Sequence, residues 1–187
     1  MNNFPFFSVV IPTYNRENII KKAIDSVLSQ SFQDFEIIII DNGSTDNTKQ
    51  FIKSYSHAKI NYFCQIGSGS PASPRNAGIR NSLAPWVCFL DSDDYWLPNK
   101  LEVLNQAIKA NKEADVFYHY EIMLNQNTGK ETVLSHHRRL DNMYKDMLEN
   151  GNQLSTSATT IRKSFLNDHQ LFFNENHDFD IVEDYDL

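Results

Sequence analysis

Three carboxylates at the end of a short apolar run are the first feature of this sequence that could do chemistry. The stretch Val87–Trp96 reads V-C-F-L-D-S-D-D-Y-W, so Asp91, Asp93 and Asp94 follow directly on Val87–Leu90. Carboxylates this close repel one another unless a cation or a proton shares them. A run of this length, with β-branched and aromatic residues, suits a buried strand. In open α/β sheets ligands sit at the carboxyl ends of the strands. An oxygen-rich cluster placed there is a candidate seat for a hard divalent cation, with room for phosphate oxygens. An acidic turn after a strand is the plainer reading, because Asp is a common turn residue. Taken alone, that reading would win.

Other positions shift the balance. Asp41 closes the run Glu36–Ile40 and opens the polar turn Asp41–Asp46. An acidic residue after a second strand is placed to take a ribose or a base N–H. Tyr14, in the segment Pro12–Asn15 after the first apolar run, offers a stacking face. Arg75 and Asn76 open a short helix and offer donors to phosphate. Each of these alone is an ordinary turn or cap; their joint placement at strand ends favours a shared crevice. Gly67–Ala72 fits the G-x-G-x-x-A dinucleotide pattern, but it follows a third strand, contains Pro71 and is not expected to lead directly into a helix, so it is set aside. No glycine loop is followed by G-K-[ST], which excludes a P-loop. The six histidines and two cysteines show no H-x-x-x-H or C-x-x-C spacing, which argues against zinc.

The elements that would position these groups alternate strand and helix. Strands are expected at Phe6–Ile11, Glu36–Ile40, Lys59–Cys64 and Val87–Leu90. The unbroken β-branched run of the second implies burial on both faces, as in a parallel sheet. Helices are expected from an Asn15 N-cap to about Gln30, to about Tyr55, over Arg75–Ser82, and from Pro98 to about Ala110. This is the pattern of a doubly wound α/β sheet. The second half is less regular: a strand over Asp115–Leu124, a turn at Asn125–Gly129, an antiparallel return at Glu131–Leu134, a helix over Asp141–Glu149 closed by Gly151, and a strand-like Ser155–Arg162. The composition shift near Asn111 marks a change of subregion within one domain of 187 residues.

Composition bounds the partners. The 41% apolar and 22% charged residues are ordinary for a soluble globular chain. A net charge of −7 argues against nucleic acid. No apolar run approaches the roughly 20 residues of a membrane span, and Met1–Pro5 has no basic region before an apolar one. Both cysteines fall in apolar runs and read as buried thiols of a reducing compartment. A cytoplasmic location follows, with the inner face of a membrane as the alternative. His136-His137-Arg138-Arg139 could meet an anionic membrane or an acceptor phosphate, but a solvated loop explains it more simply.

Together these residues carry a resemblance to family 2 glycosyltransferases of the GT-A fold. Four segments match in order: Ser8–Asn15 (S-V-V-I-P-T-Y-N), Ile37–Thr48 (I-I-I-I-D-N-G-S-T-D-N-T), Pro74–Ile79 (P-R-N-A-G-I) and Phe89–Asp94 (F-L-D-S-D-D). Val182–Leu187 (V-E-D-Y-D-L) is similar to the family's later Glu-Asp motif. The resemblance implies a Rossmann-like, mostly parallel sheet flanked by helices over about residues 1–110, with a smaller mixed or antiparallel acceptor-side region over about 111–187. It implies inverting transfer from a nucleotide-sugar donor, most commonly a UDP-sugar, to a saccharide or lipid-linked saccharide. Pro12, Thr13, Tyr14 and Asp41 would hold base and ribose, within a nucleotide set that also takes in Asn15, Arg75, Asn76, Asp91 and Ser92. Asp91-Ser92-Asp93 would be the D-x-D motif, with Asp93 on Mn²⁺ or Mg²⁺, and Asp184 the general base. Many relatives build bacterial surface polysaccharides. The Q-x-x-R-W motif of processive members is missing. Three residues follow Asp184, where relatives continue with helices over the acceptor side, so a truncated catalytic domain is expected, with donor binding surviving better than transfer. A haloacid-dehalogenase-like phosphatase would want its D-x-D near the N-terminus and fits poorly. A non-catalytic nucleotide-binding module stays open.

Overall fold

The computed structural model describes residues 4–134 and 154–176. In chain order these form β1 (Phe7–Thr13), α1 (Ile20–Leu28), β2 (Phe35–Asp41), α2 (Thr48–Ser54), β3 (Ile60–Cys64), α3 (Ala72–Asn81) and β4 (Trp86–Phe89). Then come α4 (Lys100–Ala110), β5 (Val116–Tyr118), β6 (Glu121–Leu124), β7 (Glu131–Leu134), a 3₁₀ turn over Thr156–Ala158, β8 (Thr159–Arg162) and α5 (Lys163–Asp168). Six strands make one sheet in the order β3-β2-β1-β4-β8-β5. The β3-β2-β1-β4 part is parallel, and β8 runs antiparallel to both β4 and β5. β6 and β7 form a separate antiparallel pair.

The two-residue period of the strands explains the layers. Val9 and Ile11 of β1 and Ile37 and Ile39 of β2 pack with Ile20, Ala23, Ile24 and Val27 of α1, Ile52 of α2, and Leu101, Leu104 and Ile108 of α4. Their alternates Val10, Ile38, Ile40, Val87 and Phe89 pack with Ala72 and Ile79 of α3, Leu166 of α5 and Phe173. Both sheet faces are thus covered, which is why β1 and β2 are buried at every position.

Chain order reverses between β1 and β4: β2 and β3 lie to one side of β1, and the chain crosses back to place β4 on the other. Such a switch point leaves a crevice beyond the carboxyl ends of the strands. β1 reaches past Pro12 to Thr13, whereas its pairing with β4 stops at Val10 and Phe89. Pro12, which has no N–H to give a ladder, therefore lies where β1 has lost β4 and keeps β2 as its neighbour.

One close approach fixes α3 on the sheet. A Cβ at Gly78 would lie 2.2 Å from Val10 Cγ1 and 3.1 Å from its Cβ, and Val10 has little freedom to move. Helix propensity alone favours alanine over glycine by about 1 kcal/mol. Overpacking costs about 1–3 kcal/mol, so Gly78→Ala is expected to destabilise despite the better propensity. A chemical denaturation midpoint equal to or above the parent's would show that α3 can withdraw at no cost.

Several expected boundaries are corrected. α1 begins at Ile20, with Ile19 at the cap position and no side-chain cap. Asn15 sits earlier at φ 52°, and its side chain is used elsewhere, so it is no N-cap. α3 starts at Ala72 rather than Arg75, so the Gly67–Pro71 loop does run straight into a helix. Asp115–Leu124 divides: β5 joins β8 in the main sheet and β6 turns away to pair with β7. Ser155–Arg162 is a 3₁₀ turn followed by a strand. Cys88 is buried, but Cys64 is exposed at the end of an edge strand. The helix expected over Asp141–Glu149, Gly151, His136–Arg139 and the Val182–Leu187 segment with Asp184 lie outside the described residues.

Candidate nucleotide and metal site

A cavity of about 540 Å³ occupies the switch point, within the roughly 300–1,000 Å³ of small-molecule sites. Its walls come from four strand ends: Pro12 and Thr13 at the end of β1 and Tyr14 and Arg16 after it, Asn42 and Gly43 after β2, Gly67, Gly69, Ser70 and Pro71 between β3 and α3, and Asp91, Ser92 and Asp93 after β4; Pro74 and Arg75 of α3 complete them. The expected convergence of strand ends is therefore present, and the glycine loop set aside in the sequence lines it too.

The acidic wall is already charge-compensated. Arg75, 4% exposed, donates from Nη2 to both Asp91 oxygens at 3.1 and 3.3 Å. Its guanidinium lies 5.3 Å from the Phe173 ring centre, a cation–π contact. Asp93 Oδ2 lies 3.6 Å from Arg16 Nη2, an exposed pair across the mouth of the cavity. The backbone turns tightly here, with the Asp94 N–H on the Asp91 carbonyl at 3.0 Å. Asp94 is outside the lining.

The neutral wall is built by amide cross-links. Asn42 Oδ1 accepts from Gln65 Nε2 (2.9 Å), the Ser68 N–H (3.1 Å) and Ser68 Oγ (3.1 Å), while Nδ2 donates to the Ser70 carbonyl (3.2 Å). Asn42 thus holds the β3–α3 loop against the end of β2. Gly43, at φ +83°, is in the left-handed region, and a Cβ there would meet the Gly67 nitrogen at 2.7 Å. Thr13, 3% exposed, is one of the lining residues, and its hydroxyl oxygen is buried with no hydrogen-bond partner among the described residues. Tyr14 is 54% exposed, leaving its ring open to stacking.

Pro12, Thr13, Tyr14, Arg75, Asp91, Ser92 and Asp93 are thus brought together. Asp41, Asn15 and Asn76 are not. Asp41 is 1% exposed, with Oδ2 accepting from Tyr62 Oη (2.6 Å) and Oδ1 from the Ser44 N–H (2.8 Å). Burial, together with the adjacent Asp41 carboxylate, pushes the Tyr62 phenol upward, so it stays protonated and keeps donating. Asn15 receives the Thr45 N–H on Oδ1 (2.8 Å) and gives its own N–H to Ser44 Oγ (2.9 Å), tying the two loops together. Asn76 donates from Nδ2 to the Phe173 carbonyl (2.8 Å) and Glu175 Oε1 (2.7 Å), and accepts the Phe173 N–H (2.9 Å). It clamps the segment after α5 instead of facing a phosphate. Arg16 and Asn42 were missed as wall residues; each is one position beyond a residue singled out in the sequence.

The donor set suits a hard cation. Among the described residues no three His, Cys, Asp or Glu side chains form a metal cage by themselves. Asp91 and Asp93 are nonetheless oxygen donors on the wall of a cavity. Mg²⁺-like ions commonly bind through one or two carboxylates and complete their shell with phosphates and water.

A mostly parallel sheet with a switch-point cavity is the doubly wound α/β arrangement, and likeness to solved glycosyltransferases makes it a GT-A fold. S. aureus TarS 1-349 in complex with UDP matches with a TM-score of 0.76 and 26% identity, over 96% of this chain and 52% of that one. The mannosyltransferase PcManGT from Pyrobaculum calidifontis, in complex with GDP-Man and Mn²⁺, shares the fold with a TM-score of 0.65 at 16% identity, over 92% of this chain and 48% of that one. The family model for glycosyl transferase family 2 matches residues 8–169, and the chain belongs to that family. An E. coli relative, the UDP-Glc:alpha-D-GlcNAc-diphosphoundecaprenol beta-1,3-glucosyltransferase WfgD, is 32% identical over 64% of this chain and 47% of its own length. An uncharacterized glycosyltransferase of Rickettsia bellii is 44% identical over 56% of this chain, but over 15% of its own length. The chain thus spans less than half of these curated relatives.

Proposed function

We propose that the chain binds a nucleotide-sugar, a UDP-sugar above others, and transfers its sugar to an acceptor hydroxyl with inversion, in the synthesis of a bacterial surface polysaccharide or glycoconjugate. The observation that carries this reading is the cavity itself: Asp91 and Asp93 after β4 and Arg75 of α3 line it together with Thr13 and Tyr14 at the end of β1 and the Asn42 loop after β2. The acidic wall suits a diphosphate with its counter-ion, and the β1 and β2 ends suit base and ribose. Support for the uridine nucleotide comes from the solved TarS complexes with UDP and UDP-GlcNAc and from WfgD, a UDP-Glc glucosyltransferase. The WfgD name also supports a lipid-linked acceptor. Among the described residues no helix is long and apolar enough to cross a membrane. A cytoplasmic domain working at the inner membrane face fits that substrate.

In this reading Tyr14 stacks on the base and Thr13 supplies a hydroxyl to the nucleoside. Asp41 acts through Tyr62 and Ser44 by fixing the β2 loop, instead of accepting from the base itself. Arg75 holds Asp91 in place beside the ribose and diphosphate. Mn²⁺ or Mg²⁺, held by Asp93, would neutralise the charge that develops on the leaving diphosphate. The acceptor oxygen attacks the anomeric carbon as its bond to the diphosphate oxygen breaks, and the hydroxyl proton passes to a carboxylate on the opposite side, assigned to Asp184.

Thermal shifts with UDP, GDP, CDP and dTDP, each with and without Mn²⁺, test the donor. UDP with Mn²⁺ is expected to stabilise most, by about 2.7 kcal/mol at a hundredfold excess over its dissociation constant. A shift with GDP or dTDP and none with UDP would reject the uridine assignment. Donor hydrolysis or transfer in the same preparation separates an enzyme from a nucleotide-binding module.

A further inference from the structure

We infer that Ser157 is a positioning residue for the Asp91-Ser92-Asp93 turn, and that Lys100 holds Ser157 in place. The inference rests on the donor-and-metal reading above and extends it to residues outside the cavity lining. Ladder pairing of β4 ends at Phe89, so the Asp91 N–H must find a partner beyond the sheet. It donates to Ser157 Oγ at 3.0 Å, across 66 residues of sequence. Ser157 is 4% exposed and sits in the 3₁₀ turn that leads into β8.

The far side of Ser157 is held by two more buried groups. Its carbonyl accepts from Lys100 Nζ at 2.8 Å and from Trp96 Nε1 at 3.4 Å. Lys100 Nζ also lies 3.8 Å from the Trp96 ring centre. Lys100 is 9% exposed, and burial pushes its ammonium down to about 7. Holding an ammonium here is costly, and its hydrogen bond goes to the one residue that carries the Asp91 amide. Lys100, Trp96 and Ser157 thus form a buried brace under the metal-side turn. Asp91 in turn sets Arg75 through two hydrogen bonds and sets Asp94 through its carbonyl. A shift of the 3₁₀ turn would therefore move both carboxylates of the cavity wall. The brace also ties the second half of the chain to a wall built by the first.

The test separates positioning from general support. Calorimetry would measure uridine, UDP, and UDP with Mn²⁺ binding to the parent, Ser157→Ala and Lys100→Met, with melting curves to confirm that each folds. Groups that orient metal-binding carboxylates typically change metal affinity by roughly 10–100-fold when removed. Ser157→Ala is therefore expected to lower the Mn²⁺-dependent gain in UDP affinity by about 10-fold or more, while uridine affinity is kept. Lys100→Met leaves the hydroxyl in place and should show the same split to a smaller extent. An undiminished Mn²⁺ gain in folded Ser157→Ala would overturn the inference. So would equal losses for uridine and for UDP with Mn²⁺, which would mark mere structural support. A parent without any Mn²⁺ gain would overturn the donor-and-metal reading first, and this inference with it.

Discussion

Asp93→Ala is expected to abolish the Mn²⁺ dependence of UDP binding and leave the fold unchanged. Asp93 lies on the cavity wall within the Asp91–Asp93 turn, and its carboxylate is exposed, with Arg16 3.6 Å away. Asp91 is engaged by Arg75 and by the Ser157 brace, which leaves Asp93 the better placed of the two to meet an incoming ion. On the proposed reading, removing it takes away a carboxylate ligand, and a water taking its place would fill the coordination position without its negative charge. The measurement is UDP affinity with and without Mn²⁺ in the parent and the variant. Unchanged Mn²⁺-dependent affinity would remove Asp93 from the site.

The structure also predicts what this variant does to the empty protein. Three unpaired carboxylates would repel, and removing one would then stabilise the apo fold. Here Asp91 is paired with buried Arg75 and Asp93 with exposed Arg16, so much of that repulsion is already offset. Exposed ion pairs are worth only about 0–1 kcal/mol. Asp93→Ala should therefore leave the apo melting temperature nearly unchanged, with no gain from relieved repulsion.

How legible the site was depended on which interactions set each residue. β1, β2 and β4 could be read because burial on both faces leaves an unbroken apolar run, and their ends mark the crevice without further information. Tyr14 and the Asp91–Asp93 turn follow from that alone, whereas Arg75 was read from a helix it was expected to open and lies within α3. Asn15, Asn76 and Asp41 look the same in sequence, yet partners 30, 97 and 21 residues away take up their side chains. Asp115–Leu124 looked like one strand because each half is strand-like. Its division depends on β5 finding β8 and β6 finding β7, which no local pattern records. The Gly67–Pro71 loop was undervalued for a related reason. Its worth lies in a backbone approach to Gly43 and a cross-link to Asn42, both visible only in three dimensions.

The largest expected effect falls on the proton. An acceptor hydroxyl is a poor nucleophile until its proton is taken, and a positioned carboxylate contributes on the order of 10²–10⁴-fold in rate. Asp91 and Asp93 are poor choices for that task, since both stand on the wall that would meet the departing diphosphate. Inversion needs the base on the other side of the anomeric carbon. Glu183-Asp184, followed by Tyr185 and Leu187, is the acidic pair that fits the family's later motif. It lies outside the described residues, so the assignment to Asp184 rests on that motif and on the need for a carboxylate remote from the metal. Asp184→Asn keeps the size and removes the basicity. UDP affinity should stay near the parent's, because on the proposed reading the donor would be held by Thr13, Tyr14 and the Asp91–Asp93 turn, across the reacting carbon from the base. Transfer to a lipid-linked or saccharide acceptor should fall by roughly 10²–10⁴-fold, with kcat carrying the loss. Equal transfer rates for the variant and the parent would eliminate Asp184 and direct the same substitution to Glu183 and Asp186.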